Sequence, residues 1–155
     1  MRQIVSIMKW VLILIFFITT GCSSQSSKNN IEKDSAPLIN SFFQTIKNQE
    51  AASALDILLK SNPNIDIEDS ATLHLKSSFV IINQASGVFM GYRLLKKRFI
   101  EDDIGIYSYL AKYEKKFYRF VFMFYNNGDH IKLYKFLFDD NLDVELEESL
   151  KYYLN

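Results

Sequence analysis

The sequence predicts an α+β domain in which N-terminal helices cover one face of a four-stranded antiparallel sheet. Two observations carry this prediction. Apolar residues recur at helical spacing between residues 38 and 85, which is typical of amphipathic helices. After residue 88 the chain changes to runs of aromatic and β-branched residues separated by turn residues, as in antiparallel strands. Helices followed by a run of strands is the order found in α+β domains.

Three helices are predicted before the sheet. The first begins near Pro37, because proline fits the first turn of a helix. A bend is predicted near residues 48–50, and helical spacing of apolar residues resumes after it and predicts a second helix to residue 59. A third helix is predicted to start at an N-cap, Asp69 or Ser70, and to stop at Gly87, a natural C′ residue.

Four strands are predicted after the helices. The run Asn127-Gly128-Asp129 indicates a hairpin between the last two strands. The third strand carries apolar residues on both faces, so we expect it inside the sheet rather than at an edge. Residues 142–154 form an acidic amphipathic pattern that predicts a short C-terminal helix. The predicted strands cover residues 88–100, 104–115, 116–125 and 131–138.

The N-terminus has the pattern of a bacterial export signal. Arg2 and Lys9 precede an apolar run from Trp10 to Ile18, and small residues follow it. The run is shorter than the roughly 20 residues that span a bilayer. An ordinary secretory signal and an uncleaved anchor are the alternatives to a signal peptide of the lipoprotein type.

The segment Thr19-Thr20-Gly21-Cys22 resembles the lipobox of bacterial lipoproteins, where the cysteine is lipidated and becomes the mature N-terminus. It departs from that pattern at Thr19, where the family prefers Leu, Val or Ile. The resemblance implies a chain anchored to the cell envelope by lipid on Cys22, and Ser23 favours the outer membrane over the inner one. Because Cys22 is the one cysteine of the chain, its modification leaves no thiol for disulfides, catalysis or metal binding.

These boundaries divide the chain into three parts. Residues 1–21 are the predicted signal peptide. Residues 22–35, rich in Ser, Asn and Lys, are predicted to form a lipidated flexible tether. Residues 36–155 are the single predicted α+β domain, a length sufficient for one hydrophobic core.

The balance of acidic and basic side chains indicates which kinds of partner the chain can bind. The chain has 18 basic and 18 acidic side chains, and loss of Arg2 and Lys9 with the signal leaves a small acidic excess. Such a chain has no basic surplus for phosphate contacts, so nucleic acid is not an expected partner. The membrane, through the lipid, is the expected one.

The order of a helical hairpin, a third helix ending at Gly87 and long strands resembles the nuclear transport factor two-like, cystatin-like roll. Uncharacterised bacterial lipoproteins are similar over three segments, which are LINSFFQTIKNQEAASALDILLKSNP, GVFMGYRLLKKR and FYRFVFMFYNNGDHIKLYKFLFDD. The resemblance covers residues 36–140. It implies a curved sheet that forms a cone with the helices, and the open end of that cone can hold a small ligand.

Five residues are candidates to line such a pocket. Tyr107, Tyr109 and Tyr113 share strand parity, so they are expected on one face of the sheet, and Tyr92 lies on the preceding strand. An aromatic concave face suits an apolar or mixed ligand. The alternative is that these tyrosines belong to the core or stabilise the sheet by cross-strand pairing. His74, on the third helix, is a candidate acid–base residue, with a surface or structural histidine as the alternative.

Two classes of function are consistent with these residues. The favoured one is a non-enzymatic envelope lipoprotein that binds a protein partner or a small apolar ligand. The alternative is an isomerase or dehydratase that uses His74 or a tyrosine as acid–base, as related enzymes do with Asp, His or Tyr. Binding is favoured because the strands carry few carboxylates or histidines. No cofactor is expected, and His74 and His130 are too isolated to suggest a metal site.

Overall fold

The computed structural model describes residues 28–142, with side chains from residue 31 onward. Three helices precede four antiparallel strands in this range, which confirms the α+β class. The predicted signal peptide, Cys22 and nearly all of the predicted C-terminal helix lie outside the described residues. Between residues 28 and 142, no helix combines the length and apolar character needed to cross a membrane.

The three helices are α1 (Lys28–Lys47), α2 (Ala51–Leu59) and α3 (Ser70–Ala85). Helices α1 and α2 form the predicted hairpin, and Gln49 in their connection has a positive φ of 66°. Asp69 caps α3, since its Oδ2 accepts a hydrogen bond of 3.0 Å from the backbone N–H of Ala71. Gly87 follows the C-cap with φ 81°, a conformation that glycine adopts without strain. Both predicted ends of α3 are confirmed.

The start of α1 corrects the predicted domain boundary. The helix begins at Lys28, and Ile31 and Ser35 are fully buried in it. Ser35 Oγ donates to the carbonyl of Ile31 and is hydrogen-bonded to the hydroxyl of Tyr107 at 2.8 Å. The prediction of a flexible tether over residues 22–35, with the domain starting at residue 36, is therefore wrong from residue 28 onward.

The reason is a tertiary contact. Ile31 is the one apolar side chain between residues 28 and 35, and it packs over Gly105. A Cβ placed on Gly105 would lie 2.5 Å from Cγ2 of Ile31, so the missing side chain provides the space that Ile31 fills. The polar composition around Ile31 does not reveal this contact. Pro37 consequently lies inside α1 rather than in its first turn.

The strands are β1 (Phe89–Ile100), β2 (Ile104–Tyr113), β3 (Phe117–Asn126) and β4 (Ile131–Asp139). They form one open antiparallel sheet in the order β1-β2-β3-β4, so β3 has a neighbour on each side as predicted. The pairing register shifts twice within β1 and once between β3 and β4. Such irregularities bend the strands that carry them.

The core lies between the helices and one face of the sheet. On β3 the side chains at alternate positions 118, 120, 122 and 124 are buried toward the helices. The ring of Phe42 on α1 contacts those of Phe120 and Phe122 with centroids 5.9 and 5.3 Å apart, and that of Phe79 on α3 at 5.7 Å. Aromatic packing thus holds α1 and α3 on the sheet.

Candidate functional site

A cavity of about 510 Å³ lies where the helix ends meet the beginning of β1 and the end of β2. Its walls come from the end of α1, the connection to α2, the first turn of α2, the second half of α3, and residues 87–89 and 113–114. Ligand sites in proteins commonly measure roughly 300–1,000 Å³. The cavity is therefore large enough for a small organic molecule.

The walls divide into apolar and polar parts. Ile46, Val80 and Phe89 contribute carbon surface. The polar groups come mainly from side-chain amides and carboxylates, with one phenol and one hydroxyl: Gln49, Glu50, Ser53, Asn83, Gln84, Tyr113 and Glu114. A few polar groups in a partly apolar concavity is the usual make-up of a site for small molecules.

Tyr113 is the cavity residue with the most constrained side chain. Its hydroxyl donates a hydrogen bond to Oδ1 of Asn83 on α3, and its ring meets that of Phe89 edge-on with centroids 5.2 Å apart. Burial raises the pKa of Tyr113 far above its usual value, and the neighbouring Tyr118 raises it further. Tyr113 is therefore a neutral phenol at physiological pH. Its one O–H group already donates to Asn83.

Glu114 follows Tyr113 and is positioned by the end of α3. Its Oε2 accepts a long hydrogen bond of 3.4 Å from the backbone N–H of Val88. A Cβ on Gly87 would lie 2.7 Å from the same oxygen, so a side chain there would displace the carboxylate. Gly87 thus serves two purposes, since it ends α3 and leaves room for Glu114 at the cavity.

The second carboxylate of the lining belongs to Glu50, the N-cap residue of α2. Its side chain makes no capping hydrogen bond to the first turn of α2. Ala51, Ala52 and Ser53 of that turn also line the cavity. The positive end of the α2 dipole and the Glu50 carboxylate therefore lie at the same part of the wall.

The four tyrosines predicted as pocket residues lie on the helix-facing side of the sheet. Tyr107 and Tyr113 belong to the buried core, and Tyr92 and Tyr109 are half-buried against it. Tyr92 stacks on Phe43 with centroids 3.8 Å apart, and its hydroxyl donates to Oδ1 of Asn40 at 3.0 Å. Tyr107 is buried against Ser35. Tyr109 packs on the rings of Phe43 and Phe122. Of the four, Tyr113 alone lines the cavity.

Burial also affects the acidity of Tyr107 and Tyr109. Burial raises the pKa of Tyr109 to about 12, and the nearby Tyr92, Tyr107 and Glu32 add to that effect in smaller measure. Burial likewise raises the pKa of Tyr107, although its hydrogen bond to Ser35 opposes the rise. Both side chains remain protonated at neutral pH.

His74 does not belong to the cavity. It is exposed on α3, and its backbone carbonyl accepts a hydrogen bond from Ser77 Oγ at 3.0 Å. His130 is exposed beyond the β3–β4 hairpin turn. Within residues 28–142, no three His, Cys, Asp or Glu side chains are grouped so that they could hold a metal ion.

The sequence did not reveal most of the cavity residues. Gln49, Glu50, Asn83 and Glu114 come from separate turns and helix ends, and no motif connects them. Gly87 was the one local signal nearby, because its role at the end of α3 was predicted from the sequence. The cavity residues come together only through the way in which α1, α2 and α3 pack on the sheet.

No protein-family model matches this chain, and no curated protein or solved structure is detectably similar to it.

Proposed function

We propose that this protein is a bacterial envelope lipoprotein, anchored through lipid on Cys22, whose α+β domain binds a small ligand in the cavity between the helix ends and the β1 and β2 strands. The cavity carries the binding part of the proposal, because its volume and mixed lining suit a small organic molecule. The apolar N-terminal run and the Thr19-Thr20-Gly21-Cys22 segment support the anchoring part. By the same reasoning from Ser23, the outer membrane is the proposed location.

We also propose that the domain is a cystatin-like roll of the nuclear transport factor two-like class, with residues 142–154 as its C-terminal helix. The order of three helices and a four-stranded meander supports this assignment. The register shifts in β1 and between β3 and β4 support it too, because bulges bend strands and a roll requires a bent sheet.

Binding is preferred over acid–base catalysis by His74 or a tyrosine for two reasons. General acid–base catalysis needs a group that changes protonation near the working pH and lies within hydrogen-bond reach of the substrate. His74 is exposed and lies outside the cavity lining. Tyr113 lies in the lining, but burial holds its pKa high and its hydroxyl already donates to Asn83.

The anchoring part is tested with Cys22→Ser. The full chain is expressed in a bacterium that processes lipoproteins, grown with radiolabelled palmitate and fractionated. We expect the parent chain to carry label in the membrane fraction, and the variant to lose the label and leave the membrane. Lipoproteins of the kind that this N-terminus resembles carry a diacylglyceryl group, and two acyl chains anchor a protein far more firmly than one. Loss of this lipid should therefore release the variant almost completely. Ser24→Ala is the control and should behave as the parent. Persistent membrane association of unlabelled Cys22→Ser would instead indicate an uncleaved anchor.

The binding part is tested by filling the cavity. Ala52 lies in the lining on the first turn of α2 and is exposed, so a tryptophan there should occupy the cavity without disturbing the core. Native mass spectrometry of the full chain, extracted from envelopes in maltoside detergent, reports bound small molecules. We expect a bound molecule in the parent chain and in the control Ala71→Trp on α3, and none in Ala52→Trp. Equal occupancy in both variants, or none in any chain, would contradict ligand binding at this cavity.

A further inference from the structure

The charged side chains of the cavity lining are all acidic. Its ionisable acids are Glu50 and Glu114, and the lining residues include no lysine, arginine or histidine. The other polar groups are neutral amides, a hydroxyl and the protonated phenol of Tyr113. A concave site lined by charge of one sign concentrates ligands of the opposite sign.

The two cavity carboxylates lie outside the ion pairs recorded among the described residues. Those pairs include Asp56 with Lys76, Glu32 with Lys97 and Asp139 with Arg119. Neither cavity carboxylate takes part in these pairs, and Glu114 is held beside the cavity by the N–H of Val88. The negative potential is therefore available to a ligand.

The N-terminus of α2 acts in the opposite direction, because its dipole favours an anion. That dipole corresponds to roughly half a positive charge at the helix end. The two carboxylates outweigh that half charge, so the formal charge of the lining residues remains negative. The nearer of them, Glu50, is itself at the helix N-cap and offsets the dipole locally.

The apolar wall decides between an organic cation and a metal ion. Phe89 and Tyr113 bring two aromatic side chains to the lining, and aromatic rings attract cations, alkylammonium groups in particular. Ile46 and Val80 add carbon surface beside them. The part of the chain that the structure describes has no three His, Cys, Asp or Glu side chains grouped so that they could hold a metal ion. Carbon surface instead suits the alkyl groups of an organic ammonium ion.

We propose that the cavity selects ligands that carry an organic ammonium group, with Glu50 and Glu114 supplying the charge and Phe89 and Tyr113 the aromatic surface. This inference rests on the proposed ligand-binding function. It adds the chemical class of the ligand, which the cavity alone does not specify.

The test uses three probes of nearly equal shape. Choline is the cation, 3,3-dimethyl-1-butanol is its neutral counterpart, and 3,3-dimethylbutanoate is an anion of similar size. Each is titrated into the full chain in maltoside micelles, and the backbone amide shifts of Gly87 and Glu114 are followed by NMR. We expect choline to bind at least about fivefold more tightly than the alcohol, and the carboxylate to bind more weakly than either.

A matched pair of variants locates the selectivity. Glu114→Gln keeps a carbonyl oxygen for the Val88 N–H but removes the charge, and we expect choline affinity to fall about fivefold while the alcohol is unaffected. Glu68→Gln changes an exposed acid outside the lining and should alter neither. The same fall in both variants would mean a general charge effect and would overturn the role given to Glu114.

The remaining outcomes separate this inference from the proposed function. Equal affinity for choline and the alcohol would overturn ammonium selectivity and leave the cavity as a ligand site. Tighter binding of the carboxylate would overturn it in favour of the α2 N-terminus. Failure of all three probes to shift Gly87 and Glu114, together with no bound molecule in native mass spectrometry, would overturn both proposals.

Discussion

The contact between Ile31 and Gly105 gives the sharpest test of where the folded domain begins. Ile31 is fully buried, although it lies in a polar stretch whose composition resembles a tether. Truncating a buried isoleucine to alanine typically costs about 2–5 kcal/mol in the free energy of unfolding. Folded domains have roughly 5–15 kcal/mol in total, so the loss should be plain in Ile31→Ala. In a flexible tether the same change would cost almost nothing.

The partner residue makes the prediction specific. Gly105→Ala places a methyl group 2.5 Å from Cγ2 of Ile31 and 3.2 Å from Cε2 of Tyr107. Overfilling of this kind usually costs about 1–3 kcal/mol. In the Ile31→Ala background the first of these clashes disappears. We therefore expect Gly105→Ala to cost at least about 1 kcal/mol less in that background than in the parent chain.

Urea denaturation of the full chain in maltoside, followed by far-ultraviolet circular dichroism, measures these free energies. Lys33→Ala, at an exposed position on the same helix, is the control and should change stability by less than about 0.5 kcal/mol. A near-zero cost for Ile31→Ala would refute the packing of the first turns of α1 on β2. Strict additivity of Ile31→Ala and Gly105→Ala would refute the contact between them.

Two further predictions concern the core. Phe122→Ala should cost about 3–5 kcal/mol, because Phe122 is fully buried on the interior strand β3, and a melting shift near zero would show that β3 is misplaced. Burial raises the pKa of Tyr109 from its usual value of 10.0 to about 12 in the folded chain. The contribution of the protonated phenol to stability is therefore complete below about pH 10, and it is lost as the pH rises through about 12. Tyr109→Phe should flatten the dependence of the unfolding free energy on pH between 10 and 12. An unchanged slope would contradict this linkage. Tyr134→Phe, which changes an exposed ring, is the matched control.

The predictions that succeeded concern interactions between residues close in sequence. Asp69 and Gly87 were recognised because a cap bonds to the next turn and a C′ glycine adopts one local conformation. The interior place of β3 was recognised from its two apolar faces. Strand parity likewise placed Tyr107, Tyr109 and Tyr113 on one face.

The predictions that failed or stopped short concern residues that meet only after folding. The alternation that aligned the tyrosines did not show which helix would contact each of them. Phe43 of α1 packs on Tyr92 and Tyr109, whereas Asn83 of α3 accepts a hydrogen bond from Tyr113. Tyr113 is buried and yet lines the cavity, because its end of β2 lies beside the helix ends. Distances between separate turns are not encoded in any short stretch of the chain.

The chain's order of elements, helix caps and strand faces were readable from the sequence because each depends on local backbone preference and periodic burial. Its N-terminal pattern likewise provides the reason to expect lipid on Cys22. The start of α1 at Lys28 and the carboxylate-lined cavity were decided by tertiary packing. Ile31 became structural because Gly105 left space for it. Glu50 and Glu114 share a cavity because α2 begins and β2 ends at the same side of the sheet.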